Sequence, residues 1–502
     1  PKIILSLAIT IHNECSYSQR YIMKHLIGRK NEIKKLQKYA TSHKSEFIAV
    51  YGRRRVGKTY LIREVFKEQF AFQITGLNNI GTQDQLIHFH AALIQQKTKS
   101  TTIGIAKDWL SAFRNLITVL ENKPTDGKKI IFLDELPWLD THKSNFLTGL
   151  EFFWNSWVSA RRDILLIVCG SAASWMIKNV LNNKGGLHNR ATQYVPLQPF
   201  TLQETEQFLQ ARNIIANRYQ VVQIYMTLGG IPYYLDLLKS SQSIPQNIDR
   251  LCFEVNGFLR DEFGRLYKSL FDKAENHIAV VKALASKWKG LTRNEIVKLT
   301  KLNNSGSLTR VLDELEKSAF IQRYYPFGKK AKGSLYRLTD NFSLFYLKLM
   351  AQKGLNNQKD VFLKLFIDPK FRVWSGYAFE NVCLIHYRQI AKALGISAIA
   401  HEFSSFQFLA DDIHDGIQID LLIDRADGVI NLCEVKFSNS NYKITPAYKQ
   451  KLRERAATFS AITATRKSIF TTLITTYGLN NASTHLDVVQ NVVTLEDLFL
   501  EV

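Results

Sequence analysis

Phe47-Ile-Ala-Val-Tyr-Gly52-Arg-Arg-Arg-Val-Gly57-Lys58-Thr59 is the stretch whose reading decides the fold. It satisfies G-x-x-x-x-G-K-[ST], the pattern of a phosphate-cradling loop. Phe47 to Tyr51 is a short apolar run, read as a buried strand. Tyr60-Leu-Ile-Arg-Glu-Val-Phe-Lys67 is apolar at helical spacing. The glycine loop therefore joins a strand to a helix, as the mechanism requires. Gly52 and Gly57 let the backbone bend so that successive N–H groups face an anion. The helix beginning near Lys58 points its positive end the same way. The expected nucleotide-binding residues are Gly52, Arg53, Arg54, Arg55, Val56, Gly57, Lys58, Thr59 and Tyr60. Lys58 would neutralise β/γ-phosphate charge, and the Thr59 hydroxyl would ligate Mg²⁺.

Working outward, Lys128-Lys-Ile-Ile-Phe-Leu-Asp134-Glu135-Leu-Pro137 is an apolar strand ending in two carboxylates. Its unbroken apolar run suits a strand buried on both faces. Ligands of parallel sheets gather at the carboxyl ends of the strands, so both acids fall where Mg²⁺-nucleotide must lie. Asp134 would hold the metal, and Glu135 would orient or deprotonate the attacking water. Ile164 to Gly170 is another apolar strand, and Ser171 at its end would sense the γ-phosphate. Arg190, in Leu187-His-Asn-Arg-Ala191, is a candidate arginine finger. A further strand is expected over Phe70 to Thr75, with helices near 83–97, 108–121 and 144–160. This alternation predicts an α/β fold with a parallel sheet wrapped by helices.

The 502 residues suggest two to four domains. Lys and Arg number 66 against 44 Asp and Glu, a net charge of +22 that favours a polyanionic partner, nucleic acid before membrane. Five scattered cysteines without a C-x-x-C pair read as reduced thiols, not a disulfide framework or zinc site. No stretch is long enough to span a bilayer. Ile3 to Ile11 is apolar but short, and the first methionine is Met23. Residues 1–22 are expected to be an extension outside the fold, and the location to be cytoplasmic.

Tyr51 to Thr59, Leu133-Asp-Glu-Leu-Pro-Trp138, Cys169-Gly-Ser171 and Leu228-Gly-Gly-Ile-Pro-Tyr-Tyr-Leu235 together resemble the archaeal-type AAA+ ATPases. That group is placed close to the STAND signalling NTPases. The resemblance spans about residues 24–270. It implies an ATPase core over 23–240, with a helical lid or linker over 241–276. It also implies ATP with Mg²⁺, hydrolysis as well as binding, and a role for Ile27-Gly-Arg29 near the adenine. An arginine finger acting in trans would require a homo-oligomer; one acting in cis would not.

Residues 277–340 read as three helices followed by a β-hairpin and resemble a winged helix-turn-helix. Over 281–340 there are 13 Lys and Arg against 5 Asp and Glu, which favours DNA over a protein-docking role. Arg310 on the third helix and Lys329, Lys330 and Lys332 at the hairpin tip would meet phosphates, the wing entering the minor groove.

Residues 341–502 hold a second constellation. Gly376 to His386 is amphipathic at helical spacing and carries Glu380; Ile417 to Asp424 is a strand carrying Asp420. Val429 to Phe437 is a strand on which period two puts Glu434 and Lys436 on one face. Carboxylates of this kind suit Mg²⁺ or Mn²⁺, with Asp420 and Glu434 as ligands. Such an ion would polarise a phosphodiester, and Lys436 would stabilise developing charge. The order Glu380, Asp420, Glu434-x-Lys436 resembles the PD-(D/E)XK restriction-endonuclease-like fold, with Ile419 where that pattern usually has proline. The alternatives are a retired nuclease fold kept for binding and a set of exposed charges. Lys449, Lys451, Arg453 and Arg455 form a basic helix that either contacts phosphate or is a solvated face.

Overall fold

The computed structural model describes residues 26–67, 69–97, 102–124, 127–182, 185, 187, 189–271, 273–329, 333–352, 360–412 and 415–502. The expected extension at 1–22 and the wing-tip residues Lys330 and Lys332 lie outside them. The chain divides into two compact units at Gln198/Pro199.

The first unit is built on five strands: β1 (Glu46–Tyr51), β2 (Phe70–Thr75), β3 (Lys129–Asp134), β4 (Ile164–Gly170) and β5 (Gln193–Pro196). Their order is β2-β3-β4-β1-β5, and every pairing is parallel. β3 and β4 are buried along their whole length, which is why they read as unbroken apolar runs. Helices Thr82–Gln96, Trp109–Glu121 and Phe146–Phe153 contribute Phe89, Trp109, Phe113, Phe146 and Phe153 to an aromatic core with Phe47 and Phe72 of the sheet. Helix α1 (Lys58–Phe66) follows β1 through the glycine loop.

The second unit begins at Pro199, so the helices between Pro199 and residue 240 belong to it. The Gly229-Gly230 pair shows what ties the intervening helices to it. Gly230 adopts φ +63°, and a Cβ there would lie 2.4 Å from the Phe200 carbonyl oxygen. That close approach allows the Phe200 N–H to donate to the Gly230 carbonyl at 2.8 Å. His386 reinforces the same packing. Its Nε2 accepts from the Leu202 N–H at 3.0 Å, and its Nδ1–H donates to the Val382 carbonyl at 2.9 Å. The ring is therefore held as one neutral tautomer.

Helices α2 (Ala274–Ser286), α3 (Arg293–Thr300) and α4 (Gly306–Lys317) follow, with a small antiparallel sheet of β6 (Leu291–Thr292), β7 (Ile321–Tyr324) and β8 (Leu335–Leu338) in the order β6-β8-β7. Leu291 and Thr292 form β6, and Thr292 caps α3 in a capping box with Glu295.

The last part of the unit holds α5 (Pro369–Ile385), α6 (Tyr387–Ala393) and a sheet ordered β13-β12-β11-β10-β9. Its strands are β9 (His401–Phe408), β10 (Ile417–Arg425), β11 (Val429–Lys436), β12 (Ser468–Thr475) and β13 (Asn491–Val493). β9, β10 and β11 pair antiparallel, whereas β11, β12 and β13 are parallel. Helix α7 (Pro446–Thr463) makes the crossover from β11 to β12 that a parallel pair needs. The four described cysteines are free and buried.

Candidate functional site

The glycine loop leaves the carboxyl end of β1. Gly52 stands at φ +154°, and a Cβ there would come within 2.2 Å of the Leu197 carbonyl oxygen, so no larger residue fits. Arg55 and Gly57 also take positive φ, and the turn delivers Lys58 to the start of α1. The Lys58 side chain is buried, and Nζ donates to the carbonyls of Gly52 and Arg53, each at 3.0 Å. The ammonium is thus folded over its own loop, the place where phosphate oxygens would compete for it.

Because β4 lies between β1 and β3, the ends of all three strands form one edge. Thr59 Oγ1 donates to Asp134 Oδ2 at 2.8 Å, and Asp134 is 2 % exposed. Glu135 stands at φ +45°, a conformation that costs a non-glycine residue about 1–3 kcal/mol. Its N–H donates to Asp134 Oδ1, and its Oε2 accepts from both the N–H and the hydroxyl of Ser171, at 3.1 and 2.8 Å. Backbone strain at an acid held by two donors marks a placed side chain. Thr59, Asp134, Glu135 and Ser171 are therefore together, as expected from sequence. Tyr60 is half exposed on α1. Arg190 is exposed in the turn before β5, the strand flanking β1.

A hydroxyl and a carboxylate 2.8 Å apart are hard oxygen donors that suit Mg²⁺. Mg²⁺ takes few protein ligands when phosphates and water supply the rest.

The C-terminal residues are arranged differently. Glu434 and Lys436 do share a face, with Lys436 Nζ 2.7 Å from Glu434 Oε1. Tyr448 of α7 donates to the same oxygen at 2.7 Å, and Arg455 pairs with Oε2. Burial pushes the Glu434 carboxyl up, but Arg455, Lys436 and Tyr448 outweigh it and hold the group below its ordinary range. Glu380 on α5 goes the other way. Burial and the neighbouring Asp420 charge push it up to about 8, although Arg337 opposes the shift.

Asp420 and Glu434 lie on adjacent strands, one step beyond the Leu421–Cys433 pair, and Glu380 feels the charge of both. The β9–β10 register shifts between Ile419 and Leu422, a bulge that places Asp420 at the irregularity. Asp420 lines a cavity with Tyr324, Arg337 and Tyr387, whereas Glu434 lines another with Leu452 and Arg455. Among the described residues, no group of three or more His, Cys, Asp or Glu is gathered to hold a metal ion. The bulge belongs to the β9–β10 pairing; the β10–β11 register runs unbroken through Leu421–Cys433, and its next step sets Asp420 opposite Glu434, the two acids expected as ligands.

Two basic features were expected to meet phosphate, the one on α7 alternatively to be a solvated face. On α7, Arg455 serves Glu434, and Lys449 and Arg453 both pair with Asp487, while Lys451 is exposed. In the connection after β7, Phe327 is held within the second unit. The Phe327 N–H donates to the Ser405 carbonyl at 2.7 Å, and the Phe327 ring packs on Phe406 and Phe459. Arg310 and Lys329 remain exposed.

Sequence reasoning missed Arg337, Tyr448 and Arg455 as neighbours of the acids. The only available signal was the helical spacing of Tyr448 and Arg455, seven residues apart on one face of α7.

Residues 26–238 match the family model described as an ATPase domain predominantly from Archaea. The match covers less than half of the chain. An uncharacterised protein of Methanocaldococcus jannaschii is 28% identical over 361 residues, which is 71% of this chain and 76% of that protein. Among solved structures, a Walker-type ATPase of Pyrococcus abyssi aligns with a TM-score of 0.46 at 15% identity, covering 64% of this chain and 96% of that one. The ORC2 protein of Aeropyrum pernix aligns with a TM-score of 0.39 at 13% identity, covering 64% and 93%. Among the described residues, no helix is long and apolar enough to cross a membrane.

Proposed function

We propose that this chain is an AAA+-type ATPase that binds and hydrolyses ATP and acts on DNA through its second unit. The observation that carries the ATPase reading is the single edge where Lys58, Thr59, Asp134, Glu135 and Ser171 converge. Loop amides and Lys58 would bind the phosphates. Thr59 and Asp134 would hold Mg²⁺, whose chemistry is to neutralise charge on the transferring phosphoryl group. Glu135 would take the proton of the attacking water while Ser171 keeps its carboxylate oriented. Arg190 is the proposed arginine finger, supplied in cis or from a second copy.

The DNA reading rests on the net charge of +22 and on the three helices and hairpin over 277–340, read as a winged helix. Residues 341–502 are read as a PD-(D/E)XK nuclease-like domain with Glu380, Asp420, Glu434 and Lys436 as its residues. A second reading is a regulatory switch whose C-terminal domain binds without cutting. One observation favours it: Glu434 is already neutralised by Lys436 and Arg455.

Two assays separate the layers. Glu135→Gln should retain ATP binding and lose turnover; normal turnover would remove Glu135 from its role. Wild type and Glu434→Ala should differ in Mn²⁺-dependent DNA cleavage if the nuclease reading holds. Equal absence of cleavage leaves the switch.

A further inference from the structure

Within the second unit, β8 and β10 border a cavity of about 300 Å³, at the lower end of ligand-sized clefts. Gln322, Tyr324 and Arg337 come from the hairpin, Tyr387 from the start of α6, Phe403 from β9 and Asp420 from β10. Arg337 is 6 % exposed, and its Nη2 has no hydrogen-bond partner in the protein. A buried guanidinium N–H without an acceptor is costly, and Nη2 stays unpaired although two acids, Asp420 and Glu380, stand near. Had Arg337 served only as their counter-ion, a charged hydrogen bond would be the cheaper arrangement. The aromatic walls are ordered: Tyr387 and Phe403 meet edge to face at 4.8 Å.

A fixed guanidinium suits a phosphate, and adjoining rings suit a base whatever its identity. The geometry points to this cavity as a subsite for one nucleotide of a single strand, with Arg337 holding the phosphate and Tyr387 and Phe403 receiving the base. The inference rests on the reading that the second unit meets nucleic acid, and it holds whether or not the strand is cut. Asp420 opposes a phosphate electrostatically, so its charge should weaken binding when no divalent cation is present.

The test uses the full chain with EDTA and saturating ADP, so that the P-loop is occupied. Anisotropy is read with fluorescein-labelled oligodeoxythymidine, and separately with a labelled duplex. Arg337→Gln should weaken oligothymidine binding at least tenfold, and Asp420→Asn should tighten it severalfold. If Arg337→Gln does not fold, Tyr387→Leu supplies the measurement and should weaken binding severalfold. Unchanged oligothymidine affinity in the folded variants overturns the subsite. Duplex binding without single-strand binding also overturns it and leaves the DNA reading standing. Single-strand binding that depends on Arg337, with no duplex bound, upholds the subsite and narrows that reading to unpaired strands.

Discussion

The P-loop edge and the C-terminal acid cluster contain similar chemistry, acids beside lysine and arginine, yet they are organised in opposite ways. At the P-loop edge each acid is held by neutral donors: Asp134 by Thr59, and Glu135 by Ser171. The cationic Lys58 rests on backbone carbonyls and not on either carboxylate. Charge is left available for a ligand. In the C-terminal cluster Glu434 is already matched by two cations, and Glu380 is driven toward its neutral form. The first arrangement is preorganised for an incoming anion and cation. The second is satisfied within the protein. Proximity of the right residue types is therefore not enough; what matters is whether their charges are already matched.

The largest expected effect breaks the comparison at its first half. Glu135→Gln should cut ATP turnover by about 10²–10⁴-fold while ATP affinity stays within a few-fold, read by steady-state hydrolysis and equilibrium binding. A loss of affinity equal to the loss of turnover would make Glu135 a binding group.

At the second half, Arg455→Ala should leave Glu434 facing Lys436 alone. The pair is partly buried, with side chains 19% and 16% exposed. Denaturant unfolding should show a loss on the order of 1–3 kcal/mol. A change below a few tenths would mean that Glu434 is not held as described.

Two titrations test the second unit from opposite directions. His386 is buried and neutral, and burial lowers it from 6.5 to about 4. The unfolded imidazole therefore binds more protons between those values, and the His386 contribution to stability, about 3 kcal/mol, is lost as pH drops from 6.5 toward 4. Glu380 slopes the other way in that range, so the His386 contribution is read as the difference between wild type and His386→Gln, which keeps an acceptor for Leu202. Glu380 is raised from 4.5 to about 8, so its stabilising neutral form is lost as pH climbs between those values. The window from pH 6.5 to 8, measured in EDTA, isolates it. Stability should decline there by on the order of 1–2 kcal/mol, and Glu380→Gln should abolish the decline. A flat wild-type profile in that window would contradict the picture of Glu380 as a buried acid.

The two regions also differed in how far they could be read from sequence. The P-loop, the acidic pair and Ser171 were legible because each sits at the end of a continuous apolar strand. For such strands, local pattern fixes both burial and direction. Glu434 and Lys436 were legible for the same reason, since period two along β11 sets their common face. Asp420 was only half legible. Its strand was plain, but the bulge arises from pairing with β9, whose mixed His-Glu-Phe-Ser-Ser-Phe-Gln-Phe pattern gave no strand signal. The anchoring of Phe327 and the ion pairs of α7 depend on contacts between segments far apart in the chain. Neither periodicity nor motif carries that information.

The account depends most on Lys58 and the loop it folds over as the seat of the nucleotide. Calorimetry of Mg²⁺-ATP binding to wild type and to Lys58→Ala tests this directly. The account predicts a saturable heat for wild type, and at least a hundredfold weaker binding in a variant that is still folded. Equal ATP affinity in the two proteins would contradict it.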